Sequence, residues 1–136
     1  AGLTRYDRDV AAAAKLARAQ GATKVFLVGA SIGGNAVVVA AADIRPAVDG
    51  VVSLSGPSTF RLDALSAAKR LKTPVLYAAG TIDQGGIYKQ DAQAMYRATP
   101  GTHKSIVLVP TAEHGVQLVG HPGKVRDRVE AFLAAN

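Results

Sequence analysis

The chain has 136 residues, with no cysteine, no tryptophan, one methionine and only 5% aromatic residues. The absence of cysteine excludes disulfides and thiolate metal sites. The three histidines, His103, His114 and His121, lack a metal-ligand spacing such as H-E-x-x-H, so no metal and no cofactor is expected. No apolar run approaches the ~20 residues of a membrane span, so no membrane partner is expected. No signal peptide opens the chain, which points to a cytoplasmic location. The first residue is Ala1 rather than methionine, as in a processed start or a fragment. Acidic residues are scarce, 10 against 16 lysines and arginines, leaving a formal net charge of +6. Those charges are scattered, and the one tight cluster, Lys69-Arg70 with Lys72, has no interleaved aromatics. A nucleic-acid platform is therefore not expected, and a solvated basic surface is, with attraction to anionic substrates as the alternative.

What is abundant is apolar: 49% of residues are hydrophobic, many of them alanine. The length suits one domain, 1–136, with one core. Thr4, with Asp7 in the capping-box position, predicts a helix start. Tyr6, Val10, Ala13, Ala14 and Ala17 recur at helical spacing, and Gly21 ends that helix. Val25-Phe26-Leu27-Val28 is a continuous apolar run, as expected of a strand buried on both faces. A buried helix is predicted over 32–42, a strand over 48–54, a short helix over 62–71 and a strand over 75–79. A helix over 88–98, a strand over 105–109 and a last helix opened by Pro122 follow. Val125, Val129, Phe132 and Leu133 form the inner stripe of that last helix. Helices alternating with strands imply α/β architecture. It should have about four parallel strands, right-handed crossovers and helices on both faces of the sheet.

Gly29-Ala30-Ser31-Ile32-Gly33 is the most informative stretch. A G-x-S-x-G match is weak by itself. Here it lies between an apolar strand and a helix, where such a turn exposes a serine hydroxyl on a strained backbone. Both flanking glycines are expected to be needed, because a side chain at either would collide with the neighbouring strand or helix.

Ligand sites in open α/β sheets lie beyond the carboxyl ends of strands. Ser31 follows the first strand, Asp83 the third, and His114 the fourth. That is the chain order of a nucleophile-elbow hydrolase. His114 can take the serine proton, and Asp83 can fix the imidazole tautomer. The N–H of Ile32, at a helix start, would face a developing oxyanion. Ala30, Ser55 and Gly115 are candidate substrate-lining positions. Blander readings stand beside these: Ser31 as a turn residue, Asp83 as a helix cap, and His114 as a surface loop histidine. His121 is a rival base better suited to capping, His103 a solvated turn residue, and Glu113 a neighbour that tunes the charge of His114.

Val25-Phe26-Leu27-Val28-Gly29-Ala30-Ser31-Ile32-Gly33-Gly34, Pro74-Val75-Leu76 with Gly80-Thr81-Ile82-Asp83, and Glu113-His114-Gly115 together resemble the α/β-hydrolase superfamily. The likeness is to the carboxyl-terminal half of small esterases of the dienelactone-hydrolase kind. It implies a truncated α/β-hydrolase fold lacking the amino-terminal strands. It also implies a Ser31-Asp83-His114 triad cleaving small or short-chain esters through an acyl-enzyme. The family's second oxyanion donor comes from the half not present here. Either a substitute is present, with Gly34 or a group near Ser55-Gly56 as the candidates, or the enzyme is slow. The site should be shallow.

Removing that half leaves Val25-Phe26-Leu27-Val28 as an unpaired edge, so a homodimer joined across that strand is expected. The competing reading is a non-catalytic scaffold, or a fragment needing its partner half. A nucleotide-binding domain is disfavoured, because the glycines lack G-x-G-x-x-G spacing and no acidic residue ends the strand at 48–54.

Overall fold

The computed structural model describes residues 5–136. Helix α1 (Tyr6–Ala19) starts from Arg5 without a side-chain cap, and the expected Thr4 cap lies outside the described residues. Asp7 is held by the Arg5 guanidinium through contacts of 2.9 and 2.7 Å. That hydrogen bond lowers the Asp7 pKa below the usual aspartate value, against the opposing effect of burial.

Four parallel strands form one sheet: β1 (Phe26–Ala30), β2 (Gly50–Leu54), β5 (Val75–Gly80) and β6 (Lys104–Val109). They lie side by side in that chain order. Between β2 and β5 the chain makes a small antiparallel hairpin, β3 (Thr59–Phe60) and β4 (Leu62–Asp63), with Arg61 in the left-handed region at its tip (φ 59°).

Sequential order has a consequence for the layers. Each right-handed crossover steps the same way, so each connecting helix lands on the same face. Leu27, Val51, Val75, Tyr77 and Ala79 accordingly pack with residues of α2 (Ile32–Asp43), α3 (Ala64–Ala68) and α4 (Ile87–Ala98) in one core. Alternate residues Val52, Leu54, Leu76, Ala78 and Val107 pack with Val125, Val129 and Phe132 of α5 (Lys124–Ala135). Helices cover both faces, as the pattern implied, but unequally. Tyr77 is fully buried, its hydroxyl 2.7 Å from that of Thr99. Burial pushes its phenol up to about 12.

Two predicted helix boundaries need correction. The helix expected over 62–71 is only α3, because the Asp63 carboxylate accepts the Ser66 N–H at 2.9 Å and starts the turn there. Pro122 does not open α5: the first helical carbonyl is that of Gly123, which accepts the Asp127 N–H at 3.0 Å. Among the described residues no helix is long and apolar enough to cross a membrane.

Strand β1 is an edge. The N–H groups of Val25 and Ser31 point towards β2, to Asp49 and to the Leu54 carbonyl. Alternation therefore turns the backbone polar groups of Phe26, Val28 and Ala30 to the open side. Val28 is half exposed, at 50%.

Candidate active site

Ser31 serves the sheet and the helix at once. Its N–H extends the ladder to the Leu54 carbonyl (2.9 Å), and its own carbonyl accepts the Asn35 N–H (3.2 Å) in the first turn of α2. With Ser31 the single residue between strand and helix, its backbone is forced to φ 54°, ψ −120°, a conformation that costs about 1–3 kcal/mol for a residue with a side chain. The two flanking glycines are not equivalent. A Cβ on Gly29 would lie 2.2 Å from the Gly33 carbonyl oxygen, whereas a Cβ on Gly33 meets nothing within 4 Å. The expectation that both are needed is corrected: the close approach requires glycine only at Gly29. The Ile32 N–H, at the helix start, has no backbone acceptor among the described residues.

Asp83 is 2% exposed, at the start of a tight turn after β5. Gln84, Gly85 and Gly86 all have positive φ (47°, 68°, 92°), which reverses the chain into α4. A buried carboxylate needs partners, and the one here is His114: Nδ1 lies 2.6 Å from Asp83 Oδ2. An ionised carboxylate only accepts, so Nδ1 donates, and in the neutral imidazole Nε2 then keeps its lone pair. The Tyr88 ring packs at 4.7 Å from the imidazole, tilted by 52°. The His114 N–H donates to Gln117 Oε1 at 2.9 Å, and the next residue, Gly115 (φ 60°), donates its N–H to Ser55 Oγ at 2.9 Å. A Cβ on Gly115 would lie 3.2 Å from that of Ala30, so the histidine loop and the serine turn touch. Ser31 is half-buried, and its hydroxyl makes no hydrogen bond to His114 among the described residues.

Several sequence expectations change. Ser55 is 0% exposed and its hydroxyl accepts the Gly115 N–H, so neither residue lines an open surface; Ala30, half-buried, is the one of the three that reaches it. The Ser55 N–H does not supply an oxyanion donor. Gly34 packs against Gly56 and Ser53, and the Ser55 N–H is taken by the Ala78 carbonyl at 2.8 Å. Glu113 serves His121 rather than His114: its carboxylate oxygens are 2.9 Å from His121 Nε2. His121 does not cap α5. Its pKa is raised above 6.5, first by that hydrogen bond and next by the Pro122 carbonyl. His103 is exposed. A cavity of about 450 Å³ lies away from these residues, between Ala11, Lys15, Arg18, Ile44, Arg45 and Pro46. Of the residues that hold the His114 loop, Gln117 has a legible signal, its spacing of three residues. Tyr88 and Ser55 have none, because their contacts cross between elements.

Residues 3–131 match the model of the dienelactone hydrolase family. The chain belongs to that family. Dienelactone hydrolase family membership agrees with the solved structures it resembles. One is a dienelactone hydrolase from Anabaena variabilis, 31% identical over 79% of this chain and 46% of that one, with a TM-score of 0.61. Another is the esterase domain of a Rhodothermus marinus protein, 21% identical over 75% and 56%, TM-score 0.65. A third is a Pyrococcus furiosus esterase, 14% identical over 96% and 62%, TM-score 0.79. No curated protein matches the chain in sequence. This dienelactone hydrolase family member thus has an α/β-hydrolase fold and spans about half to three-fifths of the length of those three structures.

Proposed function

We propose that the chain is a serine esterase of small or short-chain esters, working through an acyl-enzyme on Ser31. The observation that carries this reading is the 2.6 Å contact of buried Asp83 with His114, on a loop that touches the strained Ser31 turn. Nε2 of His114 takes the Ser31 proton as Oγ attacks the ester carbonyl. The Ile32 N–H faces the oxyanion, and His114 returns the proton to the leaving alcohol. Water then attacks the acyl-enzyme by the same route. The names of the Anabaena and Rhodothermus relatives support the reaction class.

With one backbone donor in place of two, the rate is expected to be lower by about 10²–10³. That missing donor, together with a Ser31 hydroxyl not yet bonded to His114, favours the second reading, a non-catalytic scaffold or a half awaiting its partner. A fluorophosphonate probe read by intact mass separates the two. One adduct on the wild type and none on Ser31→Ala supports the esterase; no adduct on either supports the scaffold.

The open polar groups of Phe26, Val28 and Ala30 further suggest that two copies pair along β1 in a homodimer. A single monomer peak in light scattering at micromolar concentration overturns that pairing.

A further inference from the structure

We propose that Ser55 is a positioning residue, whose buried hydroxyl holds the His114 loop in register with the other two catalytic loops. The proposal rests on the reading of Ser31, Asp83 and His114 as the catalytic set.

The three loops leave three different strands, and β2 lies between the strands of Ser31 and Asp83. Residues Leu54 and Ser55, at the end of β2, bind all three. The Leu54 carbonyl accepts the Ser31 N–H at 2.9 Å. The Ser55 N–H donates to Ala78 in β5, the strand that leads to Asp83, at 2.8 Å. Ser55 Oγ accepts the N–H of Gly115, directly after His114, at 2.9 Å, across 60 residues of sequence. Two of these contacts are backbone-to-backbone and ask nothing of the side chain. The third needs a hydroxyl.

The backbone of Ser55 adds a separate argument. Its φ is 50°, a region where glycine is the least strained choice. A serine stays there at 0% exposure, and the tie to Gly115 is what its side chain does. Among the described residues no other hydrogen bond engages that hydroxyl. Without it the buried Gly115 N–H loses its partner, and a loop carrying the catalytic base loses its tie to the sheet. Ser55 acts through His114 and does not touch substrate.

The test uses the full chain with Ser55→Gly and Ser55→Ala, and Thr73→Ala as control. Thr73 is another buried hydroxyl, bonded to the Val48 carbonyl away from the three loops. Ser55→Gly removes the hydroxyl while suiting the positive φ, so it separates loss of the tie from loss of fold. Turnover of p-nitrophenyl acetate is expected to fall about ten- to a hundredfold in both Ser55 variants, as for a catalytic group displaced by an ångström or less, with KM nearly unchanged. The downfield proton NMR signal of the His114–Asp83 hydrogen bond is expected to broaden or vanish in both. Thr73→Ala is expected to keep wild-type kcat and signal. A folded Ser55→Gly with wild-type kcat and an undisturbed signal overturns the proposal, as does unfolding of both Ser55 variants. If the wild type itself neither turns over nor takes the fluorophosphonate, the esterase reading fails. The NMR comparison then still decides whether Ser55 holds the histidine.

Discussion

His114 and Asp83 meet at 2.6 Å although 31 residues separate them, and the two sides of the contact are unlike. The aspartate is buried at 2% exposure, while the histidine side chain is 35% exposed. The carboxylate is fixed in the protein and the imidazole faces outward from it. Asp83→Asn keeps the shape but offers an amide that can present either a donor or an acceptor to Nδ1. Its kcat is expected to fall by about 10²–10⁴, measured on p-nitrophenyl acetate. Retention of more than a tenth of wild-type kcat would show that another group orients the imidazole.

Ser31→Ala is expected to abolish both the acylation burst and turnover. Alanine and serine share a Cβ, so the positive φ costs the two nearly the same, and the melting temperature should stay within a few degrees of wild type. Stopped-flow and circular dichroism give the two readouts. Turnover equal to wild type in this variant would place the activity elsewhere.

The glycines of the elbow make a paired test. Gly29→Ala forces a methyl into the Gly33 carbonyl at 2.2 Å and is expected to destabilise the fold by about 4 kcal/mol or more, the range reserved for severe steric conflict. Gly33→Ala places its methyl in open space. It replaces a helical glycine and is expected to be neutral or to stabilise by about 0.4–1 kcal/mol. Urea unfolding of both variants checks the contrast, which would fail if their midpoints moved together.

The Glu113–His121 pair predicts a pH dependence of known sign. The folded pKa of His121 is raised. Its contribution to stability is therefore fully present below the unfolded value of about 6.5 while Glu113 stays ionised. It is lost as pH rises through the raised folded value. An NMR titration of the His121 ring is expected to give a midpoint above 6.5 in wild type and a lower one in Glu113→Gln. Equal midpoints would mean that the pair does not form in solution. Both groups are well exposed, so the effect on global stability is expected to be small.

Much of this was legible in the sequence, for identifiable reasons. The strands of the sheet announce themselves as apolar runs cut by Gly and Pro, and Ser31, Asp83 and His114 stand just past three of those runs. The β3–β4 hairpin was not legible, because strands of two residues are too short to show alternation. Gly33 looked equivalent to Gly29 because a motif records spacing and not which way a Cβ points. The start of α5 was misplaced because Pro122 suits a first helical turn in general, while here Gly123 carries the first helical carbonyl. Ser55 read as a pocket residue because its tie to Gly115 spans 60 positions.

The sequential strand order gives the site a mechanical property. Ser31 leaves one edge strand of the sheet and His114 follows the other, so the loop that carries His114 runs back over the full width of the sheet, about 14 Å for neighbours 4.8 Å apart, to touch the Ser31 turn. Adjacent strands are each rotated by roughly 20–25°, and that rotation accumulates between the two edges. The sheet behaves as a caliper whose opening is set by its twist. Substitutions that flatten or coil it from within, at Val51, Val75 or Tyr77, would change the distance between Ser31 and His114 without touching either.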